Sequence, residues 1–137
     1  MKGDFTWLRF DRQKHYRGVL MQQGRVQLDS DWNEQVLLAE YRYASFLGDF
    51  IGPSGAPAQN GMALTVDSSK KALRLSLGRY YVSGLLAEND AEQAYPLPAA
   101  GWSLAYLDVW SGHVTAAQDP DLREPALGGP DTATRIC

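Results

Sequence analysis

The sequence predicts an α+β fold: an extended N-terminal arm and one long amphipathic helix, followed by a mainly antiparallel, sandwich-like β region. Three observations carry this. Apolar residues recur every three or four positions from Trp32 to Phe50, the spacing of one helix face. A Gly- and Pro-rich stretch over residues 52–61 ends that pattern. Beyond it the period falls to two, the spacing of half-buried strands.

Residues 1–28 form the arm. Phe5, Trp7 and Phe10 are interleaved there with Arg9, Asp11, Arg12 and Lys14. Burying an aromatic ring is favourable by a few kcal/mol, so the arm is expected to lie in a groove of its own domain or on a partner. Val26 and Leu28 alternate with Arg25 and Gln27 and read as a short strand or an extended entry to the helix. The helix takes residues 29–51. Ser30 or Asp29 is its expected N-cap, with Asp31 and Glu34 in the first turn, where acids favour the positive end of the helix dipole. Trp32, Val36, Ala39, Tyr43, Phe46, Leu47 and Phe50 make its apolar face, and Gly52-Pro53 stops it.

The β region spans residues 62–137. Met62, Leu64 and Val66 alternate, as do Leu73, Leu75 and Leu77, with Lys70-Lys71 in a turn between them. Tyr80-Tyr81-Val82 and Leu85-Leu86 continue the pattern. The strongest predicted strand runs from Trp102 to Trp110, with Leu104, Tyr106, Asp108 and Trp110 on one face. Ser111-Gly112 then resembles a two-residue hairpin turn into His113-Val114-Thr115. Pro120, Pro125, Pro130 and Gly128-Gly129 mark a loop, after which residues 131–135 start a helical turn or lead into a strand. The chain stops on Ile136-Cys137, so the β region is expected to continue in a longer protein.

A chain of 137 residues, 45% hydrophobic and 21% charged, has the size and composition of one ordinary domain, or part of one. Residues 1–50 carry seven basic and seven acidic side chains, while residues 51–137 carry six basic and nine acidic ones, so the whole net charge of −3 lies in the second part. There is no basic stripe of the kind nucleic-acid binding requires. No apolar run is long enough for a bilayer, and no secretory signal is visible, so no membrane insertion is expected. The single cysteine, Cys137, excludes an intrachain disulfide.

Several constellations invite a chemical reading. Asp29, Asp31, Asn33 and Glu40 occupy the ligand positions of a calcium loop, but Glu34 stands where that loop requires Gly. A continuous helix also sets Glu40 about 15 Å along the axis from Asp29, so capping is the preferred role and no metal is predicted. His15 and His113 lie in different elements with no further ligands at motif spacing. No Gly-x-Ser-x-Gly elbow supports a nucleophilic serine. Gly128-Gly-Pro-Asp131 lacks the Lys of a phosphate loop and reads as a tight turn. Asp108, inside an apolar strand, would need Arg123 or Arg135 as a structural partner. No catalytic residue and no cofactor is predicted.

Four segments carry a family resemblance: Met1-Lys-Gly-Asp-Phe-Thr6, Met21-Gln-Gln-Gly-Arg-Val-Gln-Leu-Asp-Ser-Asp-Trp-Asn-Glu34, Tyr106-Leu-Asp-Val-Trp110 and Leu127-Gly-Gly-Pro-Asp-Thr-Ala-Thr-Arg135. Together and in this order they resemble an uncharacterised phage-tail-related family, whose members occur in contractile phage-tail-like injection systems and prophage tails. Trp7-Leu8 and Ile136-Cys137 depart from its pattern. The resemblance implies an assembly component; the aromatic arm, the amphipathic helix and the lack of a catalytic constellation add the expectation of a structural docking module at a baseplate or tail appendage, with Phe5, Trp7, Phe10 and Trp32 as its interface residues. The resemblance also implies multiple copies, with baseplate, sheath or tube subunits as partners in a cytoplasmic or released particle. Two other readings stand beside it: a glycan- or cell-surface-recognition module, and a cell-envelope hydrolase built on paired carboxylates.

Overall fold

The computed structural model describes residues 3–69, 71–98 and 101–137. The chain divides into two units, one of Phe5–Leu107 and one that contains Asp108–Cys137. The class is α+β as predicted, with one long helix and strands that pair antiparallel in three small sheets.

In the first unit the arm carries one short 3-10 helix, Arg12–Lys14, whose N-terminus is capped by the Asp11 carboxylate accepting from the Gln13 N–H at 2.9 Å. Of the two forms expected at Val26–Leu28, no strand forms and the chain enters the helix extended, with Leu28 at φ -104° and ψ 144°. A turn closed by the Arg25 N–H on the Gln22 carbonyl (3.3 Å), with Gly24 at φ 71°, feeds the chain toward the helix, and among the described residues none pairs with these in a ladder.

Helix α1 is Asp29–Ile51. Its start corrects the capping prediction. Leu28 is the N-cap residue and supplies no side-chain bond, while Asp29 and Ser30 are already helical. The Asp29 carboxylate accepts instead from the Thr6 hydroxyl, and Ser30 is buried. The end follows expectation: Gly52, at φ 89°, donates its N–H to the Gly48 carbonyl at 3.0 Å.

Six strands follow: β1 Ser54–Gly55, β2 Leu64–Asp67, β3 Ala72–Leu75, β4 Gly78–Val82, β5 Leu85–Asn89 and β6 Gln93–Pro96. One sheet has the order β1-β4-β5, the other β2-β3-β6. The β2–β3 hairpin pairs Leu64 with Leu75 and Asp67 with Ala72, so the alternating leucines are in register. Arg74, in the central strand, bonds the carboxylates of Asp67 (3.0 Å) and Glu92. The β4–β5 hairpin turns at Ser83 (φ 49°) and Gly84 (φ 84°), the two positive values that a type I′ turn demands. A Cβ on Gly84 would stand 2.5 Å from the Ala44 Cα. Glycine there serves both the turn and the close approach of this hairpin to α1. β1 and β6 are not legible in the sequence: β1 has two residues inside a loop composition, and β6 is an exposed edge strand ending in Pro96, where a missing N–H is tolerated.

The strand predicted from Trp102 to Trp110 is absent. These residues join no ladder among the described residues, and Trp102, Leu104, Tyr106 and Trp110 are exposed. Asp108 is exposed too, so the buried ion pair expected with Arg123 or Arg135 is not made. The hairpin at Ser111-Gly112 is likewise absent.

In the second unit β7, His113–Val114, pairs antiparallel with β8, Arg135–Ile136. Gly112 and Cys137 exchange both backbone bonds, at 2.9 and 3.1 Å, which extends this pair by one step. Residues 131–135 thus lead into a strand. Between the two lie 3-10 helices at Pro120–Leu122 and Pro125–Leu127, and Gly128-Gly129 form the tight turn expected of them, at φ 82° and 103°. Full burial among the described residues is confined to Leu38 and Ser30 in the first unit and Ala116 in the second.

Candidate interaction surface

The arm runs out along α1 and back. On the outward leg the Thr6 hydroxyl donates to the Asp29 carboxylate, and Arg9 Nη1 lies 3.0 Å from Asp31 Oδ1. Further down, the Phe10 ring meets Tyr41 at 5.6 Å and 48°, with the Arg12 guanidinium 5.6 Å from the same ring. The 3-10 helix reverses the direction. On the return leg Arg42 donates to the Arg17 carbonyl at 3.4 Å, and the Val19 N–H donates to Gln35 Oε1 at 2.7 Å. Polar side chains rather than a backbone ladder therefore hold the arm. The Thr6 hydroxyl holds the Asp29 carboxyl below the usual carboxylate range against the opposing effect of desolvation, with lesser help from the Ser30 N–H and Arg9.

The four residues predicted for docking do not form one patch. Phe5 and Phe10 are half-buried, Phe10 against the chain's own helix. Trp7 is exposed under the Arg9 guanidinium, 5.6 Å away. It lines an open cleft of about 400 Å³ together with Leu8, Arg9, Asp11, Lys14, Tyr16 and Glu34. The buried Nε of Arg9 has no hydrogen-bond partner. Trp32 stands elsewhere, exposed on the first turns of α1.

Trp32 begins the apolar face read from the sequence, and that face turns outward. Trp32, Val36, Ala39, Tyr43, Phe46 and Phe50 lie within about 40° of one line along the helix, at 3.6 residues per turn. Their four aromatic members point outward, at 64%, 71%, 56% and 77% exposure for Trp32, Tyr43, Phe46 and Phe50. The side turned to the protein is the opposite one, where Leu38 is buried, Tyr41 meets Phe10 and Ala44 meets the β4–β5 turn. α1 thus carries apolar residues on two sides, separated by Gln35, Arg42 and Asp49 on one flank and Asn33 and Glu40 on the other. The available signal was the second apolar set, Leu37, Leu38, Tyr41 and Ala44, which leaves a single core-facing stripe too few positions.

The weak metal candidates stay apart. Asp29, Asp31, Asn33 and Glu40 follow one another along a continuous helix, with Asp29 engaged by Thr6 and Asp31 by Arg9. Among the described residues no three His, Cys, Asp or Glu side chains converge as metal ligands. His15 closes the 3-10 helix in the left-handed region, and His113 lies in β7. No helix among the described residues is long and apolar enough to cross a membrane.

No curated protein and no solved structure gives a significant match to the chain. One family does, over residues 1–100, which take in the arm, α1 and the strands of the first two sheets. By that match the chain belongs to DUF6519, a family of unknown function.

Proposed function

We propose that this chain is a docking module of a structural protein in a contractile phage-tail-like injection system, seated at a baseplate or tail appendage and without catalytic duty. The observation that carries the reading is the helix with two apolar sides. One is covered by the chain's own arm and hairpin, and the other, from Trp32 to Phe50, is open to solvent over four aromatic rings. Trp and Tyr dominate the energetics of protein interfaces. The motif resemblance supplies the assembly, with baseplate, sheath or tube subunits as partners and several copies per cytoplasmic or released particle.

Assembled particles test this. Trp32→Ala and Trp7→Ala, both at exposed positions, should lower the amount of this protein recovered with purified particles. A deletion of residues 1–18 should lower it further. Normal incorporation of all three proteins sinks the docking role.

The cleft at Trp7 favours a second reading, glycan recognition at a cell surface. It sets two exposed aromatic rings, Trp7 and Tyr16, beside Arg9, Lys14 and the carboxylates of Asp11 and Glu34. Binding on an array of acidic and neutral glycans, lost in Trp7→Ala, would establish it. The hydrolase reading gains less, because Asp11 already caps the 3-10 helix and Asp29 is held ionised, the reverse of what a general acid needs.

A further inference from the structure

We infer that the outward stripe of α1 packs in parallel, and in register, against the same stripe of a second copy of this chain. The inference deepens the docking reading by naming the partner of the helix, and it rests on that reading only in treating the stripe as an interface. The steps along the stripe, Trp32, Val36, Ala39, Tyr43, Phe46 and Phe50, are four, three, four, three and four residues. This is the alternating a/d spacing of a coiled-coil seam, narrower than the stripe of a core-facing helix. A seam of that period is complementary to another of the same period.

Area and charge select the occupant. Each aromatic ring buries roughly 150–250 Å², so four rings more than half exposed offer about 500 Å² a copy and about 1,000 Å² for two copies, at the lower limit of a specific interface. With Trp32 at d, the flanks are Asn33, Glu40 and Leu47 at e, and Gln35, Arg42 and Asp49 at g. Antiparallel pairing of two copies about the middle of the stripe would set Glu40 beside Glu40 and Arg42 beside Arg42, both repulsive. Parallel pairing sets Gln35 beside Glu40, a hydrogen-bonding pair, and Arg42 beside Leu47, whose side chain its methylenes can cover. The arm grips α1 by Asp29, Asp31 and Tyr41, away from the stripe, and on the flank engages the oxygen of the Gln35 amide and one nitrogen of Arg42, so the Gln35 NH2 is the group that would donate to Glu40 of the second copy.

Sedimentation equilibrium of the purified full chain tests the association. A dimer that dissociates in the micromolar range is expected, with Phe46→Glu raising its dissociation constant at least about 100-fold while the circular dichroism spectrum is unchanged. A monomer persisting at about 100 μM overturns the inference. Orientation is read separately, with Cys137→Ser as background. Oxidised Val36→Cys and Phe50→Cys proteins should each cross-link to themselves. Cross-linking only in a mixture of Val36→Cys with Phe46→Cys marks an antiparallel pair and overturns the inference as well. A monomer that is still incorporated into particles, and loses incorporation on Trp32→Ala, removes self-pairing and leaves docking intact. A dimer absent from particles does the reverse.

Discussion

β3 lies between β2 and β6, with Arg74 paired to Thr65 on one side and Ala94 on the other. Residues 102–110 carry a longer and more aromatic alternation and pair with nothing among the described residues. The difference lies in what flanks each segment. β3 pairs with β2 after a reversal that begins where Asp67 accepts from the Ser69 N–H at 3.1 Å, and β4 is tied to β5 by Ser83-Gly84. Among the described residues no such reversal delivers an edge to residues 102–110. The boundary between the two units falls inside that segment, at Leu107 and Asp108. Alternation prepares a strand, and a turn or a partner completes it.

The largest contrast should appear in amide exchange. The Arg74 and Leu75 amides should exchange at least about 100-fold more slowly than those of Leu104 and Tyr106, since exchange follows local opening. Equal protection would mean that residues 102–110 have found a strand partner in solution. Gly84→Ala attacks the paired region at its turn. It puts a side chain at φ 84° against Ala44 and should lower unfolding free energy by about 2–3 kcal/mol in urea denaturation. A loss under about 0.5 kcal/mol would mean that the hairpin does not rest on α1.

The arm offers an intermediate case, extended backbone held by side chains. Its tie at Asp29 has a pH signature. The folded carboxyl titrates below its ordinary value of about 3.9, so the stabilisation is complete at neutral pH. It is lost as pH falls from about 4 through the lower folded value. Trp7 fluorescence should report arm release in that window, and Thr6→Val should move the midpoint upward. A midpoint unmoved by Thr6→Val would remove the hydroxyl as the cause. The smallest effect is expected from Trp102→Ser, Leu104→Ser and Tyr106→Ser together. In the unpaired segment they should alter the stability of the isolated chain by no more than about 0.5 kcal/mol.

Much of the first unit was legible because its signals are local. The bounds of α1 follow from the onset of the 3.6 period and from Gly52-Pro53, and the two hairpins follow from leucine alternation and turn residues. What escaped depends on information outside each segment. The cap was misplaced because the Asp29 partner, Thr6, lies 23 positions away. Which way the stripe faces was not legible, because periodicity identifies an apolar side without stating what covers it. Of the docking residues, Trp7 and Trp32 are exposed, whereas Phe10 is spent on Tyr41, a pairing with no mark in local sequence. The Trp102–Trp110 strand failed because pairing is a property of two segments, and only one was in view.

The out-and-back path of the arm also has a mechanical consequence. Its ties to α1 are reached one after another along the chain, first Thr6 on Asp29, then Arg9 on Asp31, then Phe10 on Tyr41. Tension applied ahead of Thr6 therefore loads a single tie at a time, in the manner of a zipper rather than a lap joint. The arm would peel at low force while α1 and the hairpin behind Gly84 remain unstretched. Under pulling, such a leader would yield first and leave the folded unit behind it intact.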